Sequence, residues 1–232
     1  MSARRATTSA NQEPCIFGRN EDLAKVKQFL LSPDVQVFSE SGDMDIPVMA
    51  ILGMGGLGKT TLAQLAYHDD EVNQHFQLKW WVCISENFDI IPMTKAMIKR
   101  HAISRSYILF TRRLKGYCTR KIEKLSSHWN LLMAPLHNSS ACSKIIITSP
   151  NNKVSKIGGG ISAYDLPCLE DGDCLKLFKQ HAFKGQDPNL YPNLVAIGEK
   201  ITRNCKGLPL VAKIIGSQLH ATGLARKHGR TS

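Results

Sequence analysis

The chain has 232 residues, 43% hydrophobic and 21% charged, which is ordinary for a globular protein and long enough for one sizeable core with a small domain attached. It contains no apolar run near the roughly 20 residues of a membrane-spanning helix, and its seven cysteines form no CxxC pair, so we expect free thiols and a cytoplasmic protein. The net charge of +11 does not favour a nucleic-acid binder, because nine of the 30 basic residues and no acidic one lie in 90–122, without a recognition motif.

Helices and strands are predicted to alternate over the first two thirds of the chain. Hydrophobic spacing predicts a helix over 22–31, a buried strand over 46–53 that leads into glycines, and a helix over 60–70. Two more buried strands, typical of a parallel sheet, are predicted at 78–84 and 143–149. Three amphipathic stripes follow: Leu175, Phe178 and Ala182; Leu194, Ile197, Ile201 and Cys205; and Val211, Ile215 and Leu219. The pattern predicts a parallel α/β domain and a small helical domain that meet near Pro167.

The strongest motif is a glycine-rich loop between the predicted strand at 46–53 and the helix that follows it. Its sequence, GMGGLGKTT, fits the pattern G-x-x-x-x-G-K-[ST] of a phosphate-binding loop. Glycines let successive backbone N–H groups turn towards phosphates, and the positive end of the helix adds to the attraction. Lys59 would neutralise the terminal phosphates, Thr60 would bind Mg²⁺, and Thr61 would reach the α-phosphate. The predicted nucleotide contacts in the loop are Gly53, Met54, Gly55, Gly56, Leu57, Gly58, Lys59, Thr60 and Thr61.

Four further blocks flank this loop in a fixed order. They are CIFGRNEDLAKVKQFL at 15–30, FQLKWWVCISENFDI at 76–90, YDLPCLEDGDCLKLFKQHAF at 164–183 and CKGLPLVAK at 205–213. Together with the loop, they resemble the nucleotide-binding (NB-ARC) domain of plant intracellular immune receptors of the leucine-rich-repeat class. The resemblance covers roughly residues 12–220 with one gap.

This resemblance implies a P-loop NTPase of the signal-transducing kind, a three-layer α/β sandwich with a parallel sheet followed by a small helical domain of the ARC1 type. The expected boundaries are 15–166 for the nucleotide-binding domain and 167–221 for the helical domain, with flexible ends at 1–14 and 222–232. The family holds ADP at rest and exchanges it for ATP with Mg²⁺ to signal in plant defence.

By position in the family, the segment Ile16, Phe17, Gly18 and Arg19 would lie at the adenine, between the two domains. Pro209 of the GLPL block would cap the nucleotide from the helical side. The residues taken alone allow a plainer interpretation, in which Phe17 is a core residue and Pro209 is the first residue of a helix. Both interpretations stay open at the level of sequence.

One family feature is missing, the hydrophobic strand that ends in paired aspartates. No aspartate lies between Asp89 and Asp165, and Glu123 is the only acid in that interval. The best replacement strand, 107–110, is followed by Thr111, Arg112 and Arg113, which have the wrong charge for a magnesium site. In addition, Pro150 replaces the arginine that senses the γ-phosphate in the family. We therefore assign no catalytic residue and expect at most a weak ATPase.

The stretch 103–122 is atypical of the family. A reading-frame slip or a retained intron segment in a truncated receptor-like chain would produce this pattern, and genuine divergence with the metal-binding acid elsewhere in the sequence is the alternative. Loss of a central strand there would expose two sheet edges and endanger the fold. Three alternatives to a non-hydrolysing nucleotide binder stay open: an active P-loop ATPase or small-molecule kinase, a nucleic-acid binder, and a decoy or adaptor fragment that pairs with other immune-receptor chains.

Overall fold

The structure, a computed structural model, describes residues 15–33, 37–38, 44–84, 107–113, 143–152, 154 and 161–228. Its first compact unit contains the sheet and ends at Leu166. The second unit contains the helices from Pro167 onward, together with Glu13–Glu21 and the short segment Gly55–Gly58. The domain boundaries given above remain predictions.

Helix α1 spans Asn20–Leu31 and is followed by the short antiparallel pair β1, Val37–Phe38, and β2, Met44–Asp45. Strand β3 spans Val48–Leu52, α2 Lys59–His68, α3 Asp70–His75 and β4 Leu78–Ile84. The remaining strands are β5, Tyr107–Arg113, β6, Lys144–Ser149, and β7, Ile161–Asp165. The helical part consists of α4, Asp171–Phe183, a 3-10 turn at Pro188–Leu190, α5, Pro192–Asn204, and α6, Pro209–His228. Every helix and strand predicted from the sequence is present.

In the described part of the chain, the sheet has five strands in the order β4-β5-β6-β3-β7, and every neighbouring pair is parallel. All five residues of β3 and all six of β6 are buried, as expected for central strands of a parallel sheet. The loop-bearing strand β3 therefore lies between β6 and β7, and its carboxyl end leads into the glycine-rich loop.

Strand β5 is the replacement strand predicted at 107–110, and it takes a central place in the sheet. It pairs with β4 from Tyr107 to Arg113 and with β6 from Ile108 to Arg112, so the replacement strand forms and is three residues longer than predicted. Pairing in a parallel sheet depends on backbone groups and apolar side chains, which the sequence YILF supplies without any acid. The absence of the aspartates therefore changes the chemistry at the strand end but does not interrupt the sheet.

The helical unit has a core in which α4 and α6 meet. Leu177, Phe178 and Ala212 are buried there, and five partly buried residues pack against them: Phe17, Leu175, Ala182, Ile215 and Leu219. The first predicted stripe is thus confirmed as core-facing, as are Ile215 and Leu219 of the third.

The second predicted stripe, on α5, is partly wrong. Ile197 is 45% exposed, whereas Gly198 and Thr202 are buried. The reason is the aromatic ring of Phe178, which approaches so closely that only a residue without a side chain fits at 198. The small residue Gly198 therefore faces the core, and the larger apolar residue Ile197 does not.

Candidate functional site

The glycine-rich loop fills the gap between the end of β3 at Leu52 and the start of α2 at Lys59. Gly53, Gly56 and Gly58 have φ angles of 138°, 83° and 97°, a region that favours glycine because a Cβ atom meets the backbone there. The loop backbone thus needs these glycines for its path, and the helix begins directly after them. This is the strand, loop and helix context that a phosphate-binding loop requires.

Lys59 lies over the first carbonyls of the loop. Its side chain is buried with 9% exposure, and Nζ donates hydrogen bonds to the carbonyl oxygens of Gly53 at 2.6 Å and Met54 at 2.7 Å. An ammonium group has three donors and carries a full positive charge, so this arrangement places a cation against the loop. Leu57, which is 3% exposed, fixes the middle of the loop by burial, while Met54 is 59% exposed.

Arg19 and the start of α6 hold the middle of the loop from its carbonyl side. The guanidinium of Arg19, which is 4% exposed, donates from Nη2 to Leu57 O at 2.8 Å and from Nη1 to Pro167 O at 3.0 Å. The backbone N–H of Leu210 donates to Gly56 O at 3.2 Å. The sequence singled out Arg19 for an adenine contact, and it gave no role to Leu210. A signal existed in the GLPL block, where Leu210 directly follows Pro209.

The other residues predicted at the adenine have clear structural roles. Phe17 packs against the core of the helical unit, and Pro209 is the first residue of α6, so the plainer interpretation describes both correctly. Ile16 is half-buried. Gly18 has a φ of 64°, and a Cβ there would lie 2.9 Å from the carboxyl carbon of Asp173. Contacts of these residues with adenine remain predictions.

The metal chemistry predicted for Thr60 has little support from carboxylates in the described part of the chain. Thr60 is half-buried in the first turn of α2, directly after the loop in sequence. Among the described residues, no group of three His, Cys, Asp or Glu side chains could hold a metal ion. Strand β5 ends in Thr111, Arg112 and Arg113, and Arg112 is in register with Thr148 of β6. Glu123 lies outside the described residues.

The end of β6 is closed by a local turn. Ser149 Oγ accepts a hydrogen bond from the N–H of Asn151 at 3.1 Å, and Pro150 between them is exposed. A proline has no side-chain donor, so this position offers no cation to a phosphate. The arginine expected from the family is therefore not replaced by the residue at its position.

Four cysteines whose side chains the structure describes are free thiols. Cys15 and Cys168 are exposed, whereas Cys174 and Cys205 are buried in the helical unit. Burial, followed by the nearby Cys205 and by the acidic side chains of α4, raises the pKa of Cys174 to about 11. Burial also raises the pKa of Cys205. These two thiols are therefore protonated core residues and not nucleophiles.

Comparison with known proteins gives the same assignment as the motifs. The family model of the NB-ARC domain matches residues 20–125, and disease resistance proteins of plants align with nearly the whole chain. The chain carries an NB-ARC domain. Over 231 residues it is 36% identical to the "Putative disease resistance protein RGA4" of Solanum bulbocastanum, covering 94% of this chain and 23% of that protein. It is 33% identical over 238 residues to the "Putative disease resistance RPP13-like protein 1" of Arabidopsis thaliana, covering 95% of this chain and 22% of the relative.

The chain spans less than a quarter of the length of these relatives.

Solved structures confirm the fold of this NB-ARC chain as that of a P-loop NTPase. A mutant RuvB of Thermotoga maritima aligns with a TM-score of 0.52 at 16% identity, covering 90% of this chain and 64% of that one. The Drosophila ORC bound to DNA aligns with a TM-score of 0.58 at 12% identity, covering 90% and 62%. None of the helices in the described ranges combines the length and hydropathy needed to cross a bilayer.

Proposed function

We propose that this NB-ARC domain binds an adenine nucleotide, ADP in the resting form, as the nucleotide-binding module of a plant immune-receptor protein in the cytoplasm. The observation that carries the proposal is the loop between β3 and α2, with left-handed glycines at 53, 56 and 58 and the ammonium of Lys59 against its carbonyls. Such a backbone directs N–H groups to one side, and a polyphosphate is the ligand that these donors and this cation fit.

The residues divide the work of binding by their chemistry. Backbone N–H groups of residues 53–61 would bind the β-phosphate oxygens, Lys59 would balance their charge, and Thr61 would donate to the α-phosphate. Adenine recognition by Ile16, Phe17, Arg19 and Pro209 rests on the family alone. The hydroxyl of Thr60 would bind Mg²⁺ when the ion arrives with a nucleotide.

We expect little hydrolysis. Attack by water on the γ-phosphate needs a carboxylate that holds the metal or orients the water, and strand β5 ends in arginines where the family has aspartates. Pro150 removes the second cation of the site. The chain is thus suited to hold ADP, with weak turnover of ATP or none. Magnesium-dependent hydrolysis well above the level of a Lys59→Ala variant would favour an active ATPase instead.

Calorimetric titration of the full chain with ADP tests the proposal. Wild-type protein should bind ADP and prefer it to GDP, whereas Lys59→Ala should lose binding because the loop loses its cation. Lys27→Ala is the matched control, since Lys27 Nζ pairs with Asp69 at 2.9 Å and Glu71 at 2.8 Å and not with the loop. Normal ADP affinity of Lys59→Ala, or no binding by the wild type, would refute the proposal.

A thermal-shift measurement adds an independent readout. A ligand at a hundred times its dissociation constant stabilises the native state by about 2.7 kcal/mol, which corresponds to an increase of several degrees in Tm. We expect this shift with ADP for the wild type and for Lys27→Ala, and no shift for Lys59→Ala. A shift with ATP and Mg²⁺ that exceeds the shift with ADP would contradict an ADP-preferring site.

A further inference from the structure

Two consecutive carbonyl groups in the middle of the phosphate-binding loop accept hydrogen bonds from donors outside the loop. Gly56 O accepts from the backbone N–H of Leu210 at 3.2 Å, and Leu57 O accepts from Nη2 of Arg19 at 2.8 Å. The donors and acceptors all belong to the same compact unit. The middle of the loop is thus held by its carbonyl oxygens, which point away from the N–H groups of the same peptide planes.

The geometry of the peptide bond turns these contacts into a statement about the amides. The described backbone has no cis peptide bonds, and in a trans peptide the N–H points opposite to the C=O of the same plane. A donor that fixes Gly56 O therefore directs the N–H of Leu57 to the other side, and a donor that fixes Leu57 O does the same for the N–H of Gly58. Two neighbouring N–H groups that face the same side are what an anion needs.

Arg19 has the properties needed for this task. It is 4% exposed, and its second arm donates to Pro167 O at 3.0 Å, so the guanidinium connects two backbone carbonyls at fixed spacing. Arginine is planar and rigid at its head group, whereas lysine is a point donor on a flexible stem. Only a proline at position 210 would remove the backbone N–H there, whereas any change of the Arg19 side chain alters the other donor.

We infer that Arg19 is a positioning residue for phosphate binding, which holds the Leu57 carbonyl so that the Gly58 N–H faces the phosphates. The inference rests on the proposed nucleotide binding and deepens it. The role acts through the loop backbone and requires no contact between Arg19 and the nucleotide. It predicts that the guanidinium fork matters, and not only the positive charge.

The test compares Arg19→Lys and Arg19→Met with the wild type, using the full chain and two readouts. The first is hydrogen–deuterium exchange of the peptide that contains residues 55–58, without nucleotide. The second is the affinity for ADP by calorimetry. Lys176→Met is the matched control, because it removes a cation from the same unit. The ion pair that Lys176 forms with Asp173 is exposed.

In both Arg19 variants, the loop amides should exchange at least about tenfold faster, since a charge-assisted hydrogen bond to a buried carbonyl is lost. For the same reason, the affinity for ADP should fall at least about tenfold. Exchange in α5 should stay unchanged, which a general loss of structure would not allow. The control should match the wild type in both readouts.

Three results would overturn the inference: unchanged loop exchange in Arg19→Lys, wild-type ADP affinity in that variant, or equal acceleration of exchange in α5. If Arg19→Met does not fold, Arg19→Lys decides alone, because it keeps the cation and most of the aliphatic stem. Failure of the wild type to bind ADP would refute the proposed function, while the exchange readout would still decide whether Arg19 holds the loop.

Discussion

Replacement of Gly56 by alanine should damage the loop for two separate reasons. Gly56 has a φ of 83°, and a residue with a Cβ in the left-handed region costs about 1–2 kcal/mol. The new methyl group would also lie 2.8 Å from Leu210 Cβ and 2.9 Å from its Cδ2, closer than Cβ atoms approach in folded proteins. Such overpacking typically costs about 1–3 kcal/mol. Gly56→Ala should therefore lower the free energy of unfolding by about 2–5 kcal/mol.

Gly55→Ala is the matched control one residue earlier. Gly55 does not have a positive φ, and a Cβ there would meet nothing within 4 Å. Without nucleotide, this change should be neutral or stabilise the protein by about 0.4–1 kcal/mol, because alanine restricts the unfolded chain. Urea unfolding of the two variants beside the wild type, monitored by circular dichroism, measures the difference.

A third variant separates the two costs. Leu210→Gly removes all three atoms that the new methyl would meet, so the double variant with Gly56→Ala should recover the packing cost and retain the backbone cost. We expect a coupling of about 1–3 kcal/mol between the two positions. If the free energies of unfolding of Gly56→Ala and Gly55→Ala differed by less than about 0.5 kcal/mol, the argument from φ and from the contact with Leu210 would be wrong. The same would follow if the coupling between positions 56 and 210 were absent.

Two other predictions concern the helical unit. Gly198→Ala should lower the free energy of unfolding by about 1–3 kcal/mol, because its methyl would lie 2.7 Å from Cδ1 of the buried Phe178, whereas Gly172→Ala, which meets nothing within 4 Å, should not; equal urea midpoints would contradict this. Cys174 should resist iodoacetamide at about pH 8 in the folded chain while the exposed Cys168 reacts, as mass mapping can show, and rapid labelling of Cys174 would refute the burial argument. Folding raises the pKa of Cys174 from 9.0 to about 11, so the folded state favours the neutral thiol. The stability that this preference contributes is present below pH 9 and is lost as the pH rises towards 11.

Features encoded by neighbouring residues were predicted well. The run VMAIL, the glycines after it and the helix formers from Lys59 onward specify β3, the loop and α2 within one continuous segment, Val48 to His68, and each is present. Strand β4 begins and ends where its aromatic and β-branched residues predict. These elements depend on local propensity and on burial of a continuous apolar run, which the sequence displays directly.

Features that depend on distant partners were not predicted. Arg19 meets Leu57 across 38 positions and Pro167 across 148, and no periodicity signals such a pair. The orientation of α5 was missed for the same reason, since the need for a small residue at 198 comes from Phe178 on another helix. The pairing of β5 was underestimated because its family pattern was absent, although its apolar residues were sufficient for the ladder.

The structure separates the parts of the sequence that would bind phosphate from the parts that would hydrolyse it. Binding depends on backbone amides whose direction is set by glycine conformations and by the donors of Arg19 and Leu210. Hydrolysis depends on side chains at the ends of β5 and β6, where Arg113 and Pro150 now stand. Since strand pairing depends on backbone groups and apolar side chains, which YILF supplies, the arginines at the end of β5 leave its pairing with β4 and β6 intact. A sequence can therefore lose the metal carboxylates and keep the phosphate cradle, which is why we expect ADP binding without appreciable turnover.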